Sequence, residues 1–190
     1  FEAIWVNLGI YPSNHVLSSG ESSTLDAYLT NGIGGQFLYM EGGDTWAYDS
    51  STTLHGRVGI SGLADGTADL STVTGAAGAG CDLSSQSWSY SGENNWIDRL
   101  GTTGSASVSL VNPSPSYNVG VFNDAGGYRT FGTSFEIAGL NDGSSTRADL
   151  VSAILNCFGG SPPPPPPAAP VADFSVSPTS GETPLNVNFT

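Results

Sequence analysis

The sequence predicts an α/β fold: a three-layer sandwich with a mainly parallel sheet and a late β-hairpin, then a polyproline linker. Three observations carry this reading. A strand, a helix and a second strand follow one another between residues 3 and 41, and such a βαβ unit sets its strands parallel and adjacent. Two alternating segments meet late in the chain at the turn Asp124-Ala125-Gly126-Gly127, a good hairpin signal. An amphipathic helix at 146–158 then closes the unit, and together these elements need layers on both faces of one sheet.

The apolar run at residues 3–10 (AIWVNLGI) suits a strand covered on both faces. Residues 18–31 read as a helix. Ser18 with Glu21 matches a capping box, Leu25, Tyr28 and Leu29 form an apolar stripe, and Asn31-Gly32 supplies the stop. Gln36–Glu41 is a second buried strand, ended by Gly42-Gly43. The middle, 44–104, is rich in Gly, Ser and Thr with aromatic punctuation, and is expected to hold short helices and loops. Residues 106–111 form a short alternating strand, and 118–123 and 128–137 are the hairpin strands. In the final helix Asp149 follows Thr146 by three residues, while Leu150, Val151, Ile154, Leu155 and Phe158 make the apolar face.

Composition bounds the function. The four basic residues are all Arg (Arg57, Arg99, Arg129 and Arg147) against 17 acidic ones, a net charge of −13. Four dispersed cations cannot grip a phosphate backbone or an anionic lipid surface, so nucleic acid is excluded as a partner. No run approaches the roughly 18 to 20 apolar residues of a membrane helix, so no membrane insertion is expected. With 38% hydrophobic and only 11% charged residues, solubility falls to Ser, Thr, Asn and 26 Gly, which suits a secreted or cell-surface protein. Phe1 and Thr190 both fall in mid-strand, so the chain is expected to be a piece of a longer one. Cys81 and Cys157 are the only cysteines; they are either a single disulfide or two buried thiols, and two cysteines without clustered His make a poor zinc site. The segment SPPPPPPAAP at 161–170 is a polyproline rod of about 3 Å per residue. It divides a unit at 1–160 from a tail at 171–190.

Two resemblances add to this. The stretch WVNLGIYPSNHVLSSGESSTLDAYLTNGIGGQFLYMEGGDTW resembles the flavodoxin-like core of class I glutamine amidotransferase-like domains. EGGDTWAYD, YSGENNWID and FGTSFEIAGLNDG resemble a non-catalytic branch of that fold from large secreted bacterial proteins. The tail resembles the opening of a polycystic-kidney-disease (PKD) domain through Ala172, Phe174, the turn Gly181-Glu182-Thr183-Pro184-Leu185, Val187 and Phe189. That resemblance implies the first strands of an immunoglobulin-like β-sandwich, with Phe174, Val176, Leu185, Val187 and Phe189 as a strand-pairing tail.

The chemistry that the first resemblance implies is not matched by residues. An amidotransferase needs Cys on the strand-to-helix elbow, backed by His and then Glu or Asp. The elbow here reads Met40-Glu41-Gly42-Gly43-Asp44, and the late strand lacks His. His15 and His55 are the only histidines, and Gly75-Ala76-Ala77-Gly78-Ala79-Gly80 lacks the Lys of a phosphate loop. Glu41, Asp44, Asp49, Glu93, Asp98 and Glu136 gather at the loop edge of this fold. They are candidates for calcium ligands, a glycosidase-like acid/base pair, or buried acceptors that tie loops. Trp46, Tyr48, Trp88, Tyr90 and Trp96 are candidates for a glycan-stacking platform or for loop packing. The leading expectation is a non-enzymatic structural or adhesive module of a secreted bacterial surface protein. In one form it is a filament subunit whose tail strand pairs with a neighbour. The expected partners are copies of itself, other extracellular proteins, or glycans, with structural Ca2+ as the one candidate cofactor. A carbohydrate-binding module and a hydrolase with an unrecognised acidic site are the rivals.

Overall fold

The computed structural model describes residues 3–31, 35–159, 176–177 and 188–189. The elements begin with β1 (Ala3–Asn7), α1 (Ser19–Thr30), β2 (Gln36–Glu41) and α2 (Thr53–Val58). Six short strands follow: β3 (Ile60–Ala64), β4 (Thr72–Gly75), β5 (Ala77–Gly78), β6 (Cys81–Asp82), β7 (Ser87–Tyr90) and β8 (Arg99–Thr102). The unit ends with β9 (Ser107–Pro113), β10 (Ser116–Asp124), β11 (Tyr128–Thr133), β12 (Leu140–Asn141) and α3 (Arg147–Cys157).

The two main helices start where the sequence signals them. Ser18 accepts from the Glu21 amide while Glu21 accepts from the Ser18 amide, and Thr146 with Asp149 does the same for α3. β1 and β2 pair in parallel, Trp5 opposite Tyr39, as a βαβ unit requires. β11 adds in parallel on the other side of β2, and β10 turns back antiparallel to it through the late hairpin.

Beyond β10 the predicted architecture is corrected. Only β1–β2 and β2–β11 are parallel, and every other pairing of the large sheet is antiparallel. The sheet is therefore mixed and curled into a half-barrel, not the mainly parallel core of a three-layer sandwich. Its order is β1-β2-β11-β10-β9-β4-β7-β12, with β8 and β3 branching from β10. The branch falls where the β9–β10 register shifts, between Asn118 and Val121, and such a bulge bends its strand. The physical cause lies in residues 44–104, expected as short helices and loops. Thr72-Val73-Thr74-Gly75 and Ser87-Trp88-Ser89-Tyr90 alternate with period two, Val73, Gly75, Trp88 and Tyr90 inward and the Ser and Thr residues outward. In a stretch this rich in Ser and Thr, that alternation is the strand signal, and the aromatics belong to it.

Two cores result. On one face α1, α2 and the β3–β8 arm enclose Leu29, Met40, Trp46, Leu54, Val58 and Val121. On the other, α3 and the β9–β4–β7–β12 arm enclose Val73, Trp88, Phe122, Phe131, Leu150 and Ile154. Strands thus occupy ground on both faces that helices cover in a parallel sandwich. Cys81 and Cys157 form a disulfide that fastens the β5–β6 hairpin to the end of α3.

The linker at 161–170 and the tail residues Phe174, Leu185 and Val187 lie outside the described residues. Val176 stands opposite Phe189 in a two-residue antiparallel pair, Val176–Ser177 with Asn188–Phe189.

The disulfide spans 76 residues, so loop-closure entropy gives it about 4 kcal/mol, equivalent to a fall in Tm of roughly 10 °C in a domain of this size. The Cys81→Ser, Cys157→Ser double variant is expected to melt lower by about that amount in calorimetry. An unchanged Tm would show that the hairpin needs no tether.

Candidate functional site

The loops that follow β1 and β2 must meet, because these strands are parallel neighbours, and crevices beyond such strand ends are where open α/β sheets hold ligands. Here they enclose a cleft of about 410 Å³. Tyr11, Asn14 and Val16 come from the loop after β1, and Asp44, Tyr48 and Asp49 from the loop after β2. Asp65 follows β3, and Trp96 precedes β8. Gly43 lets the two strand-end loops pack closely, since a Cβ there would fall 2.8 Å from Ile10 Cγ2. Its carbonyl accepts from the Asp98 amide at 3.0 Å, and its amide donates to the Gly9 carbonyl at 3.0 Å.

The cleft combines exposed aromatics with buried acid. Tyr11, Tyr48 and Trp96 are 51%, 70% and 50% exposed, whereas Asp44 is 3% exposed. Trp96 sits at φ +60°, a left-handed conformation unusual for a bulky residue. Burial, then the charges of Asp49 and Asp65, push the Asp44 carboxyl up to about 6. Burial also raises Asp49, which neighbouring His55 partly offsets.

The predicted carboxylates divide by partner. Asp98 is fully buried, and its Oδ2 accepts from the Trp46 and Ala47 amides at 2.8 and 2.7 Å. Its Oδ1 has no hydrogen-bond partner. Burial, against those two amides and with Asp44 and Asp65 adding repulsion, pushes Asp98 up to about 7. Glu41 accepts from Tyr39 Oη at 2.7 Å, Asn7 Nδ2 at 2.5 Å and the Ile137 amide at 3.0 Å. A loop amide and two neutral side chains hold it, and no arginine among the described residues reaches it: Arg99, for one, pairs with Asp69. Burial raises Glu41. Glu93 is exposed and caps its own turn through the Asn94 and Asn95 amides. Glu136 is half-buried at the head of a single 3-10 turn, where its charge adds to the upward pressure on Glu41.

The predicted aromatics divide as well. Trp46 and Trp88 are 2% exposed and Tyr90 is 7%. Trp46 Nε1 donates to the Thr133 carbonyl, and Tyr90 Oη donates to the Glu93 carbonyl. Only Tyr48 and Trp96 reach the cleft. Tyr11, Asn14, Val16 and Asp65 join them without having been anticipated. Tyr11 was within reach of sequence reasoning, because it follows the first of two strands already read as parallel neighbours. Asp65 carries no such signal. Of the histidines, exposed His15 contacts Glu21 at 3.1 Å. Buried His55 donates from Nε2 to the Thr45 carbonyl and accepts the Thr52 amide at Nδ1. Among the described residues, no three His, Cys, Asp or Glu side chains cluster as a metal-holding group.

No family model and no curated protein matches the chain. Among solved structures it is similar to a β-galactosidase from Rahnella sp. R3, with a TM-score of 0.53 and 12% identity over 82% of this chain and 22% of that one. The chain spans about a fifth of that enzyme's length. At this identity the likeness is one of fold alone.

The raised Asp98 carboxyl makes stability pH-dependent. The folded state holds its proton up to about pH 7, whereas an unfolded Asp releases it near 3.9, so this group's contribution to stability falls as pH rises between the two values. His55, lowered by burial, acts in the opposite sense below its ordinary value. Asp98→Asn keeps an oxygen for the two amides and removes the titration. Its unfolding free energy relative to wild type is expected to climb from pH 4 to 7, by up to about 1.4 kcal/mol per pH unit in denaturant titrations. A difference independent of pH would contradict the assignment.

Proposed function

We propose that the chain is a non-enzymatic adhesive module of an extracellular bacterial protein, and that it holds carbohydrate in the cleft of Tyr11, Tyr48 and Trp96. The observation that carries this is the exposure of three aromatic rings around a concave site whose wall includes the buried carboxylate of Asp44. Sugar rings present apolar faces that stack on such side chains, and hydroxyls that donate to such an oxygen. The strand-end elbow supports a binding role over a nucleophilic one: Met40-Glu41-Gly42-Gly43-Asp44 carries neither Cys nor Ser, and both histidines are engaged elsewhere. The disulfide supports an oxidising location, as do the absence of Lys and the low charge content.

Tyr48→Ala and Trp96→Ala change exposed residues and leave the core intact, whereas Trp46→Ala and Trp88→Ala would empty it. Each exposed-site variant is expected to weaken binding roughly 3- to 10-fold on a glycan array. A blank array for the wild-type chain would sink the reading.

Self-assembly is a second reading, favoured by β1. It is an end strand of the sheet, and Trp5 on it is 40% exposed, so a strand from another copy has an edge to extend. Electron microscopy is expected to show filaments at high protein concentration. Monodisperse single particles across salt and calcium would count against assembly.

A further inference from the structure

The chain has no cation to spare for the cleft. Its four guanidiniums each pair with an aspartate elsewhere: Arg57 with Asp26 at 2.6 Å, Arg99 with Asp69 at 3.1 Å, Arg129 with Asp124 at 2.8 Å and Arg147 with Asp142 at 3.2 Å. There is no Lys. Three carboxylates nevertheless line one cleft, with no basic residue among its walls. The side chain of Asp44, the most buried of them, accepts no hydrogen bond and joins no ion pair among the described residues, although its backbone carbonyl accepts the Asp49 amide; what acts on the carboxyl is burial and the repulsion of Asp49 and Asp65. A buried carboxylate without a partner is costly, and one facing a ligand-sized cleft gains most from a cation that arrives with the ligand.

The walls narrow that cation. A hard divalent ion asks for six to eight oxygens gathered around one point, and among the described residues no three His, Cys, Asp or Glu side chains are grouped closely enough to hold one. A protonated amine is attracted both to carboxylates and to aromatic faces, and the combination of acid with Tyr and Trp is how proteins cage ammonium groups. Tyr11, Tyr48, Trp96 and Asp44 are that combination. A neutral ligand can stack on the aromatics and donate to a carboxylate but leaves three negative charges unbalanced, and a metal ion would leave the aromatics unused.

We infer that the cleft selects oligosaccharides that carry free amino groups, seating the ammonium at Asp44 among Tyr11, Tyr48 and Trp96. This rests on the carbohydrate reading above and adds the ligand's charge to it. The net charge of −13 attracts any cation from a distance, so the test must separate local from global attraction.

Calorimetric titration near neutral pH with three oligomers of matched length does so: glucosamine, N-acetylglucosamine and glucose. The glucosamine oligomer is expected to bind about tenfold tighter than either neutral oligomer. Asp44→Asn should abolish that preference, so that the variant binds the three oligomers alike. Asp65→Asn, at an exposed position that does not threaten the fold, should reduce it in part. Asp82→Asn, which makes the same change in net charge far from the cleft, should leave it untouched. Equal binding of all three oligomers would overturn the inference and leave the carbohydrate reading standing. Equal losses in the Asp44, Asp65 and Asp82 variants would also overturn it, since the preference would then belong to net charge. Binding of a lysine peptide with none of the three oligomers would overturn both readings.

Discussion

Four guanidiniums cannot neutralise seventeen carboxylates, and where the remaining acids find their partners decides how the loops of this protein are held. The arginines are spent at the periphery, each on one aspartate. The buried acids make do with neutral donors. Asp98 gathers the Trp46 and Ala47 amides, and Glu41 gathers a tyrosine, an asparagine and the Ile137 amide. Apart from the Tyr39–Glu41 bond within β2, these bonds join positions 34 to 96 residues apart in sequence, so the carboxylates act as ties across the edge where β2 and β11 end. Such ties cost desolvation, visible as the upward shifts of Asp98 and Glu41, and they persist because two donors reach the Asp98 carboxyl and three reach that of Glu41. Asp44 is the exception. It is as buried as the others and has no such donor, and it lines the cleft.

The local signals in the sequence translate directly into structure where one physical cue dominates. Ser18 with Glu21, and Thr146 with Asp149, fix helix starts because reciprocal capping satisfies amides that nothing else in the chain can reach. The βαβ unit at 3–41 fixes two parallel strands, and Gly126-Gly127 permits the hairpin. The disulfide was one of two open readings, and hairpin-to-helix packing brings the two sulfurs together.

The middle of the chain was misread for an equally physical reason. Its strands are only two to five residues long, too short for periodicity to stand out against Gly and Ser, and their pairing is set by tertiary packing. Trp88 and Tyr90 look like binding aromatics because they are large residues among small ones, yet they are the inward half of an alternating strand. Tyr48 and Trp96 share that composition and point to the cleft instead. What separates the two sets is that Trp88 and Tyr90 lie within β7, a strand of an antiparallel arm that the expected parallel sandwich does not contain, whereas Tyr48 and Trp96 lie in turns outside the strands. The carboxylate list fared differently, because any acid at a strand end has to be tied, capped or left facing a ligand, and Glu41, Asp98 and Asp44 show two of those fates.

The buried acids at this edge hold their protons more tightly than ordinary carboxylates, Asp98 because burial outweighs its two amide donors and Asp44 because burial and two neighbouring acids act on it unopposed. Carbon-detected NMR titration of the side-chain carboxyls reads this directly, residue by residue. Midpoints near 7 for Asp98 and near 6 for Asp44 are the predicted result. If both groups ionise near 4, water or an unrecognised partner already satisfies them, and the cleft has no unanswered acid to offer a ligand.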